Sequence, residues 1–245
     1  MLERLTISPC CNPEYDLETA LKCYSNLGFT QFEAFTSWAK SALDYNIPTE
    51  SYREIFEKHN MRVTSFHLPR IDGEASFLEA VKAAKFADEL GAEVMLYKAN
   101  SRELYVNYAK KFTELTEHLK IIPVIQNHYG TPLTTLSDVK EVTEGISGFK
   151  NLLEVGHFHS AGVSWREGYD YLGIDRVSLV HIKDQAGSQS VPFGSGEIDL
   201  KGLFLQLEND GYKGKYVVEM EVSDSENTEK YLAMAIEYLK NEVQL

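Results

Sequence analysis

Several apolar runs of this chain end in residues that hold metals or move protons. VIQNHYG closes on Gln126, Asn127 and His128, and NLLEVGHFH carries Glu154, His157 and His159. VSLVHIKD brings His181, Lys183 and Asp184, and YVVEMEV brings Glu219 and Glu221. Glu33 lies inside QFEAF, His67 near the end of RVTSFHL, and Lys98 at the end of EVMLYK. Charges among Val, Leu and Ile are costly to bury unless paired or bound to a cation. Side chains alternate faces along a strand, so Gln126 and His128 share a face, as do His181 with Lys183 and Glu219 with Glu221. Five of the seven histidines (His67, His128, His157, His159, His181) fall at the ends of such runs, and His59 and His118 fall at helix ends. Any one of these histidines also reads as a hydrogen-bonded loop residue. Together with the carboxylates they describe a metal or acid–base site.

Something must bring these residues to one place. Short β-rich runs alternate with longer segments of helical period. The strands read as 5–8, 31–35, 62–68, 93–98, 121–127, 151–156, 177–183 and 216–222. Helices are expected over 16–27, with Gly28 as the stop, over 49–58 after Pro48, and over 77–90, with Gly91 as the stop. Further ones are expected over 105–119, 136–146, 200–209 and 228–241, with a short one near 166–172. Strands joined through helices are parallel. Eight such units in 245 residues predict an α/β fold of the (β/α)8 TIM-barrel type, one domain over 1–245. The competing open doubly wound sheet wants a glycine-rich turn after its first strand. Here that strand runs into SPCCNP, which has no glycine. In a barrel the chemistry sits at the C-terminal ends of the strands, where the polar clusters fall.

The formal net charge of −13 opposes a nucleic-acid partner, because such binding displaces counterions with Lys and Arg. No apolar run approaches the length that spans a membrane, and MLERLTISPCC is not a secretory signal. Three cysteines, two of them adjacent, make no disulfide framework. A reduced, cytoplasmic setting is the simple inference. A homo-oligomer stays open.

The motifs carry a family resemblance over essentially the whole chain. QFEAF, SFHLP and ADELGAEVML fit the early strands of the xylose-isomerase-like barrels. That group includes sugar phosphate isomerases/epimerases, ketose 3-epimerases, inosose dehydratase and endonuclease IV. Gln126-Asn127-His128 is similar to its strand-five acid-Asn-His, and Glu154-Val155-Gly156-His157 to its Asp-x-Gly-His. His181-Ile182-Lys183-Asp184 matches His-x-Lys-Asp fully. Pro192 to Asp199, PFGSGEID, resembles Pro-Leu-Gly-x-Gly-Glu-Ile-Asp, and Gly211, Gly214 and Glu219 resemble Gly-x-x-Gly-x-x-x-x-Glu.

The resemblance implies a divalent metal, Mn²⁺, Mg²⁺, Co²⁺ or Zn²⁺, held by Gln126, Glu154, His181 and Glu219. It implies metal-assisted proton transfer next to a carbonyl on a small sugar or polyol. Glu219, Glu154 and His157 would be catalytic, and Glu33, His67, Asn127, His128 and Lys183 would bind substrate. The enzyme class is isomerase or epimerase, with a lyase such as inosose dehydratase in range. Two positions depart from the pattern. Glu154 replaces an aspartate and reaches one methylene further. Gln126 replaces a glutamate: its amide can coordinate a hard cation but cannot act as a base. The alternative is therefore a carbohydrate-binding barrel that has lost its base. An abasic-site endonuclease is disfavoured by the acidic charge. Trp38 could stack on a sugar ring or simply anchor its loop.

Overall fold

Each expected β-rich run forms a strand, and pairing of the first with the last closes the sheet. The structure, a computed structural model, describes residues 2–243. The barrel strands are β1 (Leu5–Ile7), β2 (Gln31–Phe35), β3 (Arg62–His67), β4 (Val94–Leu96), β5 (Ile122–Gln126), β6 (Lys150–Glu154), β7 (Val177–Ile182) and β10 (Lys215–Val218). They are parallel and follow the order β1-β10-β7-β6-β5-β4-β3-β2 around a closed barrel. Because β1 pairs with both β10 and β2, the sheet has no edge, and the open-sheet alternative is excluded.

Alternation along the strands builds two layers. Val94, Leu96, Val124, Leu152, Leu179 and Val217 form their own buried cluster, the filling of the barrel. Their neighbours Met95, Ile125, Leu153, Val180 and Val218 join the larger core with the surrounding helices. Two residues beyond the inner positions, on the same face, come Lys98, Gln126, Glu154, His181 and Glu219. The polar site is thus the next layer of the barrel interior.

The helices are α1 (Leu17–Asn26), α2 (Thr49–Lys58), α3 (Glu74–Glu89), α4 (Arg102–Thr116), α5 (Leu136–Gly145), α6 (Val155–Ser160), α7 (Trp165–Leu172), α8 (Leu200–Asn209) and α9 (Thr228–Glu242). Asp16 caps α1 by accepting from the Thr19 N–H at 2.8 Å. Gly28 and Gly91 take the positive φ expected of helix stops, 93° and 83°. Helices α3 and α4 begin three residues earlier than periodicity suggests, because their first turns carry capping polar residues rather than apolar ones.

Two elements were not legible. The strand expected over 151–156 stops at Glu154, which becomes the N-cap of α6. A small antiparallel hairpin, β8 (Asp184–Ala186) with β9 (Gln189–Val191), forms inside what reads as a loop after β7. Asp184 organises it. Its carboxylate accepts from the Gly194 and Gly196 N–H groups, both at 2.9 Å, and from Gln185 at 3.0 Å. A Cβ on Gly196 would stand 2.2 Å from Asp184 Oδ1, so the loop motif needs glycine there.

Candidate active site

The strand ends surround a cavity of about 440 Å³ at the mouth of the barrel. Gln126, His128, His157, Glu219 and Glu221 form part of its wall. His67, Lys98 and Arg70 form another part, and Phe35, Trp38, Leu68 and Cys10 also line it. Glu154, His181, Glu33, Lys183 and Asn127 are buried below or behind this wall.

His181 is the hub of the buried set. Its Nε2 lies 3.1 Å from Glu33 Oε1. Its Nδ1 faces Glu154 Oε2 at 3.0 Å and Glu219 Oε1 at 3.1 Å. Burial alone would lower the His181 pKa, but the Glu33 and Glu219 carboxylates outweigh it and raise it well above the ordinary value. The two neighbouring carboxyls diverge. Burial and the Glu219 charge raise Glu154. Burial also works against Glu219, yet Lys183 and His181 hold it well below the usual range. One member of the pair therefore keeps its charge at the expense of the other.

Several local devices fix these groups. Glu154 Oε1 accepts from the Gly156 N–H at 2.9 Å, which leaves Oε2 to point at His181. The Asn127 side chain ties β5 to β6: it donates to the Glu154 carbonyl at 2.8 Å and accepts from the Glu154 N–H at 2.9 Å. It does not line the cavity. Lys183 runs through the interior and bonds Glu219 Oε2 at 3.1 Å and Glu221 Oε2 at 2.5 Å. A Cβ on Gly156 would stand 2.9 Å from the Lys183 stem, which explains the glycine in Glu154-Val155-Gly156-His157. Glu33 is fully buried, accepts from Ser65 Oγ at 2.9 Å, and faces His67 Nε2 at 3.2 Å. On the far side of His67, Nδ1 meets the Lys98 ammonium at 3.3 Å. Ser65 was missed from sequence. Its signal was the two-residue spacing from His67, which puts both on one face.

The His128 and His157 rings stack with centroids 3.8 Å apart. Burial lowers the pKa of both, so both stay neutral near pH 7. Gln126 is 6% exposed, lines the cavity, and its amide makes no hydrogen bond among the described residues.

Donor atoms of Glu154, His181 and Glu219 lie within 4.8 Å of one another. His181 Nδ1 and Glu154 Oε2 are buried with no aligned hydrogen-bond partner, despite their 3.0 Å separation. Atoms that converge at close range without an aligned hydrogen bond, in an O, O, N set, suit a divalent cation. Glu33 behind Nε2 is the carboxylate that a metal-bound imidazole commonly has. A second grouping, Cys10 with Glu219 and Glu221, fits less well. Lys183 already neutralises both carboxylates there, and burial pushes the Cys10 thiol well up, keeping it protonated.

Comparison with known proteins bears on this geometry. The profile of the xylose isomerase-like TIM barrel family matches residues 21–242. The chain belongs to this family. A xylose isomerase domain-containing protein of Salmonella typhimurium LT2 superposes with a TM-score of 0.78 at 18% identity, covering 100% of this chain and 98% of that one. The IolI protein, solved with a zinc atom, gives 0.80 at 15% identity, covering 98% of each chain. At such identities the likeness concerns the fold. An L-ribulose-5-phosphate 3-epimerase, UlaE of Salmonella paratyphi C (strain RKS4594), is 36% identical over 70 residues, 28% of this chain. That match spans 25% of the length of the epimerase. Among the described residues, no helix is long and apolar enough to cross a membrane.

Proposed function

We propose that this xylose isomerase-like barrel is a metal-dependent isomerase or epimerase of a small sugar or polyol. The observation that carries the reading is the convergence of Glu154 Oε2, His181 Nδ1 and Glu219 Oε1 at the floor of the cavity, where the first two are buried and, though 3.0 Å apart, share no aligned hydrogen bond. A divalent cation bound there would act as a Lewis acid on the substrate's carbonyl and adjacent hydroxyl. Matches to an L-ribulose-5-phosphate 3-epimerase and a D-tagatose 3-epimerase-like protein support the class. A similar fold in a probable 3-DHS dehydratase keeps lyase chemistry in range.

The chain's own residues divide the work. Glu219 reaches the cavity and is held ionised by Lys183 and His181, so it takes the proton next to the carbonyl. Glu154 lies below the cavity wall and would serve as a ligand. Neutral His128 and His157 offer ring nitrogens to substrate hydroxyls. Gln126 contributes an amide for the cation or a hydroxyl, without charge. One carboxylate can carry a proton between adjacent carbons on one face of the substrate while the neighbouring hydroxyl passes its proton to the former carbonyl oxygen, and together these transfers are an isomerisation. Inversion at one carbon needs a second donor on the other face, and Gln126 is not one.

Gln126 also favours a second reading, a sugar-binding barrel without turnover. One experiment separates them. Protein purified without chelators is assayed for bound metal, then incubated in deuterated water with a panel of ketoses and aldoses. The proposal expects a divalent cation and deuterium uptake at the carbon beside the carbonyl, both lost in Glu219→Gln. Absence of metal together with absence of exchange would sink it.

A further inference from the structure

The cavity has a cationic side that the proton-transfer chemistry does not use. Beyond β3 and β4 the chain makes an isolated parallel bridge, Ile71 with Ala99. It is fastened by Ile71 N–H to the Lys98 carbonyl at 2.9 Å and by Asn100 N–H to the Ile71 carbonyl at 2.8 Å. One residue earlier on each segment stand Arg70 and Lys98, which paired register places side by side. Both line the cavity.

Neither forms an ion pair among the described residues. The Lys98 ammonium has the neutral Nδ1 of His67 at 3.3 Å, and Arg70 has no protein partner. By contrast, Lys183 in the same site engages two carboxylates. Lys98 is half-buried in the cavity and Arg70 is exposed at its rim, so the pair offers two adjacent positive charges, neither bonded to a carboxylate, to whatever enters the mouth. Burial, and then the Arg70 charge, lower the Lys98 pKa to about 8, against the opposing pull of Glu33. An anion between them would relieve that repulsion.

The position is informative. In the barrel order, β4 stands diametrically opposite β10. Lys98 follows β4 and Glu219 follows β10, so the cationic pair faces the carboxylate across the mouth. We propose that Arg70 and Lys98 form a subsite for an anionic end group of the substrate, a phosphate monoester or a carboxylate, held across the cavity from the reacting carbons. This rests on the reading of the cavity as a sugar-transforming site. It narrows the substrate from neutral sugars to acidic ones.

The test uses whole protein stripped of metal with chelator, so that an anion cannot bind through a cation. Inorganic phosphate and, separately, acetate are titrated by calorimetry into the parent and into Arg70→Ala, Lys98→Met, Lys98→Arg and Glu219→Gln. Saturable binding of at least one anion is expected, and the tighter one names the end group. It should weaken on the order of tenfold or more in Arg70→Ala and Lys98→Met. It should recover in Lys98→Arg, and hold or tighten in Glu219→Gln. Failure of both anions to bind, or binding equal in all variants, overturns the subsite. Metal uptake, measured on the same preparations after reloading, reports on the proposed enzyme class separately, since Arg70 and Lys98 touch none of the ligands.

Discussion

Glu33 Oε1 sits 3.1 Å from His181 Nε2 and so turns the other ring nitrogen toward Glu154 and Glu219. Glu33 reaches no cavity surface. Its effect passes through the imidazole, whose orientation and tautomer it sets. Glu33→Gln keeps the volume and removes the charge. Affinity for Mn²⁺ should fall by roughly 10- to 100-fold, with the thermal transition checked in parallel. Unchanged affinity in a folded variant would show that Glu33 does not orient the ligand.

Gln126→Glu should move the other way. A carboxylate added beside three donors strengthens a hard-cation site, by on the order of tenfold or more in a metal titration. If the variant also gains deuterium exchange that the parent lacks, the parent is a binding barrel rather than an isomerase.

Lys183 neutralises Glu219 and Glu221 from inside the barrel. Removing one partner of a buried pair leaves a charge uncompensated, at a cost of about 3–5 kcal/mol. Lys183→Met should therefore lower the denaturant midpoint strongly. The double variant Lys183→Met/Glu219→Gln should recover about 1 kcal/mol or more of the loss. Additive losses would mean that the lysine acts through packing alone.

The pH dependence has a sign that His67 fixes. Burial lowers its pKa from 6.5 to about 4, with Glu33 opposing and Lys98 assisting. The unfolded chain thus binds a proton at His67 that the folded chain refuses between those two values. The contribution of His67 to stability is full above about pH 6.5 and falls as the pH drops toward about 4. His128 and His157 are lowered as well and add to the same slope. In unfolding titrations across this window, His67→Gln should reduce the slope by about one proton. An unaltered slope would place the acid sensitivity elsewhere.

The barrel was legible because its signals are local and periodic. Inner and outer residues alternate in every strand, and Gly28 and Gly91 mark two helix ends. Much of the site was legible for the same reason, since Lys98, Gln126, Glu154, His181 and Glu219 each lie two residues beyond an inner Val or Leu on the same face. What sequence could not divide was the site's depth. Glu33, Asn127 and Lys183 read like the residues that line the cavity, yet they sit behind it, because burial depends on neighbouring strands. Pairing also escaped it. That Lys183 serves Glu219 and Glu221, while Arg70 and Lys98 are left to each other, depends on contacts between segments far apart in the chain.

Barrel closure has a consequence for how the molecule comes into being. The donor atoms come from β6, from β7 and from the residue just after β10, and β10 also seals the sheet against β1. A chain emerging from the ribosome therefore has no complete coordination set until its final strand has docked. Before that moment Glu154 has His181 but not Glu219, and the cavity has no wall on that side. Metal loading would then count finished molecules only, and truncated or stalled chains would stay inert toward the cation and toward the sugar.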